Sequence, residues 1–182
     1  MSVTCLLLAG TSLAIEAPDT SKPAKPRVTA KPIDRSKVLQ VDWEELVPVD
    51  DRSKFSLVPP PPLHDYLSGE AGPAAQQLPG SEVNKDLDGL AIRIPGFIVP
   101  VDLDKHNRVT EFFLVPYFGA CIHVPPPPPN QIVFVKLKNS FALESMEDAY
   151  WVTGKMSVQN RKTRFGSAAY SMAGAKVEIY KY

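Results

Sequence analysis

Residues 91–103 read AIRIPGFIVPVDL, and their reading decides the fold. Ile, Val and Phe favour an extended, pleated backbone. Pro95-Gly96 and Pro100 interrupt the run. Proline removes a ladder donor and glycine admits a bulge, so a bulged, strongly bent strand is expected, with the bend at Gly96. The same residue types recur downstream. DKHNR at 104–108 is a turn, Thr110–Tyr117 a second strand and Gln131–Leu137 a third. Residues 138–149 form a connection with room for a short helix. Tyr150–Gln159 is a fourth strand and 160–166 a basic turn. Residues 168–171 and 176–180 make a fifth strand, broken around Ala173-Gly174. Five short strands, led by one long enough to serve two sheets, imply a mainly β domain over 86–182. The expected architecture is a five-stranded Greek-key barrel of the oligonucleotide/oligosaccharide-binding (OB) type. A β-sandwich and an SH3-like barrel share that strand count.

Upstream lies an N-terminal arm with a proline-rich loop, residues 36–85. Val38, Leu39, Val41, Trp43, Leu46 and Val47 supply apolar surface. Asp42 and Glu45 have capping-box spacing, so a short helix is expected to start near Asp42 and stop at Pro48. This helix is expected to pin the arm onto the β-domain; Trp43 is expected to pack there, with anchoring of a partner as the alternative. Pro59–Pro62 should form polyproline II, and 63–80 a surface loop. Residues 18–35 are polar and proline-punctuated, the composition of a disordered tether.

Residues 1–17, MSVTCLLLAGTSLAIEA, carry an apolar run leading into small residues, which is the pattern of a signal peptide. No Lys or Arg precedes the run, a departure from the usual export pattern. The run is too short to span a bilayer. The reading is therefore a periplasmic protein, soluble or membrane-associated, with no transmembrane span once mature. Cleavage would remove Cys5 and leave Cys121 as the one cysteine, so no internal disulfide is expected. The chain has 20 basic and 20 acidic residues, which gives a polyanion such as nucleic acid nothing to follow at long range. Its 19 prolines favour loops and strand edges over long helices.

One segment looks like a site. Residues 117–131 read YFGACIHVPPPPPNQ. Five successive prolines, Pro125–Pro129, make a stiff rod without donors. Cys121 and His123 stand two apart, so in an extended chain both face one side. A thiol and an imidazole suit zinc or copper, and a zinc site needs about four ligands. His64, Asp65, His106 and Glu111 are the further candidates. Against this stands the commoner fate of such residues: a buried cysteine packing as a small apolar group, and a histidine bonded to a carbonyl. Tyr117, Pro125, Pro127, Pro129, Asn130 and Gln131 would form a platform for a ligand or partner. The rod is expected to be buried against Tyr117, Phe118 or Trp151. A thiol-dependent enzyme using Cys121 is the competing reading, but no activated nucleophile is marked. The chain has no phosphate loop, HExxH, GxSxG or CxxC. No catalytic residue is assigned.

The stretches LDGLAIRIPGFIVPVDLD, VTEFFLVPYFGACIHVPPPPPNQIV, YWVTGKMSV and AAYSMAGAKVEIY resemble a family of exported bacterial proteins known only as a domain of unknown function, with the signature GACIHVPPPPPNQ. The resemblance covers about residues 86–182. It implies a periplasmic or lipoprotein-like protein. Because some members are encoded beside zinc-responsive ABC transporter components, it also implies a non-enzymatic accessory role in metal handling, with such a component as partner. Cys121, His123 and Pro125–Pro129 are the positions that match the signature.

Overall fold

The computed structural model describes residues 36–52, 77, 82–120 and 126–181. All of them fall in one compact unit, 34–182. The expected signal peptide, tether and four-proline run lie outside the described residues. Six strands form a mixed sheet: β1 (Leu39–Gln40), β2 (Ala91–Leu103), β3 (Val109–Val115), β4 (Val133–Phe141), β5 (Ala149–Thr163) and β6 (Gly166–Ile179). Their order is β1-β2-β3-β4-β6-β5, and β2 also pairs with β5, so the sheet closes into a ring. All the pairings within the ring are antiparallel except β4 with β6, which is parallel.

The long strand β2 does serve two partners. Ala91–Phe97 pair with β5, and Phe97–Leu103 pair with β3. The bulge expected at Gly96 is absent there. The register shifts fall later, between Pro100 and Asp102 and between Asp102 and Leu103. Gly96 is required for a different reason, which is space. A Cβ at this position would lie 2.7 Å from the Val115 carbonyl oxygen and 2.9 Å from the Trp43 ring. The edge of β2 that β3 does not reach is covered by the arm. Leu39 and Gln40 pair in parallel with Ile92 and Arg93. The Val41 N–H then donates to Arg93 O at 3.0 Å, and the Trp43 indole N–H to Pro95 O at 2.7 Å. Trp43 thus pins the arm by taking the place of a strand donor.

Three other expectations change. The helix starting near Asp42 is a single 3₁₀ turn, Trp43–Leu46, whose Glu45 carboxylate accepts the Asp42 N–H at 2.7 Å. Strand β4 runs on to Phe141, and residues 142–148 hold no helix. Strands β5 and β6 are longer than expected and meet at Arg164-Phe165. The break expected in the last strand is absorbed as a register shift around Thr153/Lys155, facing Gly174 at φ 64°.

Alternation puts Ile92, Ile94, Ile98, Phe112, Leu114, Val133, Val135, Val152, Met156, Tyr170 and Met172 inside the ring, with Leu46 and Val41 from the arm. Each such side chain contributes roughly 1.5–3 kcal/mol by leaving water. No helix among the described residues is long and apolar enough to cross a membrane.

Candidate functional site

Strand β3 buries Phe112 to Val115 in succession, so both of its faces are covered. Phe113 and Val115 face outward and join Val99, Ala120, Ile132, Phe134 and Ala168 in a second apolar cluster outside the ring. The β3–β4 loop contributes Ala120 and Ile132 to this cluster, and Tyr117 packs against it. Phe118 stays half exposed beside Phe97, their ring centroids 6.1 Å apart. The described ends of the loop therefore lie on a hydrocarbon bed that β2, β3, β4 and β6 provide.

Of the proline rod, Pro126 and Pro127 are buried and Pro128 and Pro129 half-buried. Pro128 has φ −59° and ψ 153°, the polyproline II conformation. A 3₁₀ turn over Pro129–Gln131 ends the rod. This end is fastened from three sides. The Gln77 amide donates to Pro127 O at 2.9 Å and to Ser167 O at 2.7 Å, and its oxygen accepts the Ser167 N–H at 2.9 Å. Asn130 Nδ2 donates to Glu82 O at 2.9 Å. Gln131 Nε2 donates to Trp43 O at 3.0 Å and to Asn130 O at 3.2 Å. Rod, arm and β6 are thereby tied together.

These bonds fix which way the two amides point, because exchanging nitrogen and oxygen would set oxygen against carbonyl oxygen. Asn130 Oδ1 and Gln131 Oε1 are left buried without a donor among the described residues, in side chains whose residues are only 8% and 0% exposed. A buried acceptor without a partner costs about 1–3 kcal/mol.

The neighbouring corner is polar in the same manner. Asn84 Nδ2 donates to Glu45 O at 2.8 Å, and the Asn84 N–H to Leu46 O at 3.1 Å and to the Tyr170 hydroxyl at 2.7 Å. The Tyr170 hydroxyl donates to Leu46 O. Burial pushes this hydroxyl up to about 12, with the bond from the Asn84 N–H acting the other way. Sequence reasoning passed over Gln77, Asn84 and Tyr170. Their partners are backbone groups up to 124 residues away, and no residue type marks a backbone carbonyl in a sequence.

Cys121, His123 and Pro125 lie outside the described residues, as do His64 and Asp65. The other two candidate ligands are on the β2–β3 hairpin. His106 occupies the exposed turn, where its N–H donates to Asp104 Oδ1 at 2.8 Å. Glu111 is paired with Lys136 at 2.6 Å. Among the described residues no three of His, Cys, Asp and Glu gather as a metal site would need. Of the platform residues, Tyr117 packs on the second apolar cluster and Pro129, Asn130 and Gln131 form the 3₁₀ turn that follows Pro127. Trp151 is engaged elsewhere, with Arg93 and Tyr180.

Residues 43–179 match the family described as "Protein of unknown function (DUF3299)". A crystal structure of a DUF3299 family protein from Pseudomonas aeruginosa is similar, with 40% identity and a TM-score of 0.66. The match covers 80% of this chain and 98% of that one. No curated protein matches the chain.

Proposed function

The chain belongs to the DUF3299 family, and we propose that it is a non-enzymatic binding or accessory protein of the bacterial periplasm, an OB-type barrel that presents the 117–131 loop to a metal ion. The barrel reading is supported by the pairing. Taken in chain order, the five ring strands follow the cycle one-two-three-five-four, with the third and fifth parallel and the first shared between two partners. A Greek-key OB barrel has five such strands.

The observation that carries the functional reading is the fastening of the proline rod by Gln77, Asn130 and Gln131. A polyproline rod of five residues extends about 15 Å and has little freedom. Its described end is anchored at Gln131, and Cys121 and His123 precede it in the sequence. Ordering entropy that binding would otherwise cost is thus lost at folding instead. Thiolate and imidazole suit zinc, with two further ligands or waters completing four. The accessory role implies an envelope ABC transporter component as partner.

The test is calorimetric titration of the full chain with zinc chloride under reducing conditions. Saturable binding of one equivalent is expected, abolished in Cys121→Ser and in His123→Ala. In Gln77→Ala the rod end loosens, and affinity should fall about tenfold, the lower range for supporting residues around metal ligands. Absence of binding, or binding indifferent to Cys121 and His123, overturns the metal reading.

A further inference from the structure

The outer face of β2, β5 and β6 carries a second arrangement that shares no residue with the loop. The Arg93 guanidinium lies 4.4 Å from the centroid of the Trp151 ring. Trp151 in turn stacks on Tyr180, with centroids 5.1 Å apart and planes inclined by 27°. Arg93, Trp151 and Tyr180 are all half-buried, and Arg93 Nε is buried without an acceptor among the described residues. No hydrogen bond or ion pair links Arg93 to an acid among those residues. Glu178, the acid facing Trp151 across the sheet, is paired with Lys176 at 2.9 Å; that bond, and more weakly the Arg93 charge, hold its carboxyl below the ordinary carboxylate range. Register places Arg93, Thr153 and Lys176 side by side on three adjacent strands, so a guanidinium, a hydroxyl and an ammonium occupy one row.

A guanidinium held over an indole by a cation–π contact loses part of its rotamer freedom while keeping its charge and its other N–H donors. That is the preparation arginine needs to grip a carboxylate with two parallel bonds. We propose that Arg93, braced by Trp151 and flanked by Thr153 and Lys176, is the recognition point for a carboxylate side chain on an acidic segment of a partner protein. Charge favours this occupant. The row Arg93–Thr153–Lys176 carries two cations, with Glu178 opposite Trp151 in the next row, whereas the chain as a whole is neutral. A neutral chain lacks the far field that gathers a polyanion, while a short-range fork suits one or two carboxylates.

The full chain, labelled with ¹⁵N, is titrated with N-acetyl-tetraglutamate amide, following the Arg93 Nε–Hε resonance together with calorimetry. Inorganic phosphate and a twelve-residue oligothymidylate serve as comparison probes. The peptide should shift the Arg93 resonance saturably. Arg93→Gln should weaken binding about tenfold or more, the expected scale for loss of a charge-assisted pair. Arg93→Lys, which keeps the charge and loses the fork, should also weaken it. The melting curve of each variant, expected to follow the parent's, separates this from misfolding. Lys176→Ala gives an independent weakening should either Arg93 variant unfold. A peptide that leaves the Arg93 resonance in place, or that binds Arg93→Gln as well as the parent, overturns the proposal. Tighter binding of the oligothymidylate also overturns it and assigns the row to nucleic acid; tighter binding of phosphate overturns it in favour of a free anion.

Discussion

The inside of the ring and the corner where the arm meets the β3–β4 loop are both sealed from water, but they are sealed by different means. Inside, Phe112, Ile94, Leu114 and Met156 fill space with hydrocarbon and leave no polar atom to satisfy. At the corner, Gln77, Asn84, Asn130, Gln131, Trp43 and Tyr170 cap backbone carbonyls that strands do not reach. Hydrocarbon packing is non-directional and decides that the ring forms. The amides are directional and decide where a strand-poor segment comes to rest. The corner's directionality is also why, among the described residues, it retains two acceptors without donors.

The contrast predicts a graded set of losses. The largest should come from the ring. Phe112→Ala removes a fully buried side chain that meets Phe141 edge-on, centroids 6.4 Å apart, and should cost about 3–5 kcal/mol in urea unfolding. A cost no greater than that of a corner substitution would put the weight of the fold in the amides instead.

Tyr170→Phe probes the corner while keeping the ring's hydrocarbon. It should cost about 1–2 kcal/mol at neutral pH, because the hydroxyl's bond to Leu46 O and the one it accepts from the Asn84 N–H are both lost, while the Asn84 N–H still reaches Leu46 O. It should also change the alkaline limb. The folded hydroxyl titrates near 12 against an ordinary value of 10.0, so between these values the unfolded chain binds fewer protons than the native one. Stability from this group is complete below pH 10 and falls as pH rises towards 12, by at most about 1.4 kcal/mol per pH unit. Tyr170→Phe should flatten that fall. A slope unchanged by the substitution would mean that another group governs alkaline unfolding.

The smallest effect belongs to neither region. Glu111 and Lys136 pair on the outside of the β3–β4 ladder at 2.6 Å, with Lys136 69% exposed. Glu111→Gln should change unfolding free energy by no more than about 0.5 kcal/mol, less still in high salt. A larger loss would show that this surface contributes to stability alongside the ring and the corner.

The two regions were also unequally legible in the sequence. Strands β2 to β6 could be read from runs such as AIRIPGFIVPVDL because burial on alternate positions leaves a pattern within a few residues. Local capping chemistry likewise marked Asp42 and Glu45, although the turn they start is tighter than an α-helix. Trp43 was legible as a packing residue but not as a strand donor, since its acceptor is the carbonyl of Pro95, 52 residues on. The second apolar cluster left a trace in the unbroken FFLV of β3, which alternation alone does not explain. Gln77, which joins Pro127 to Ser167, left none, as an amide facing carbonyls looks like any polar loop residue. Of the candidate site, the sequence named the rod and its Asn130-Gln131 terminus but not what fastens them.

The parallel union of β4 and β6 has a consequence for synthesis. Val133–Lys136 wait for Tyr170–Ala173 before their outer edge is covered, and β5 too needs its partner. A growing chain that has not yet reached Gly166 is a row of strands with two exposed borders, unable to close. Closure of the ring therefore takes place only when the C-terminal strand is available.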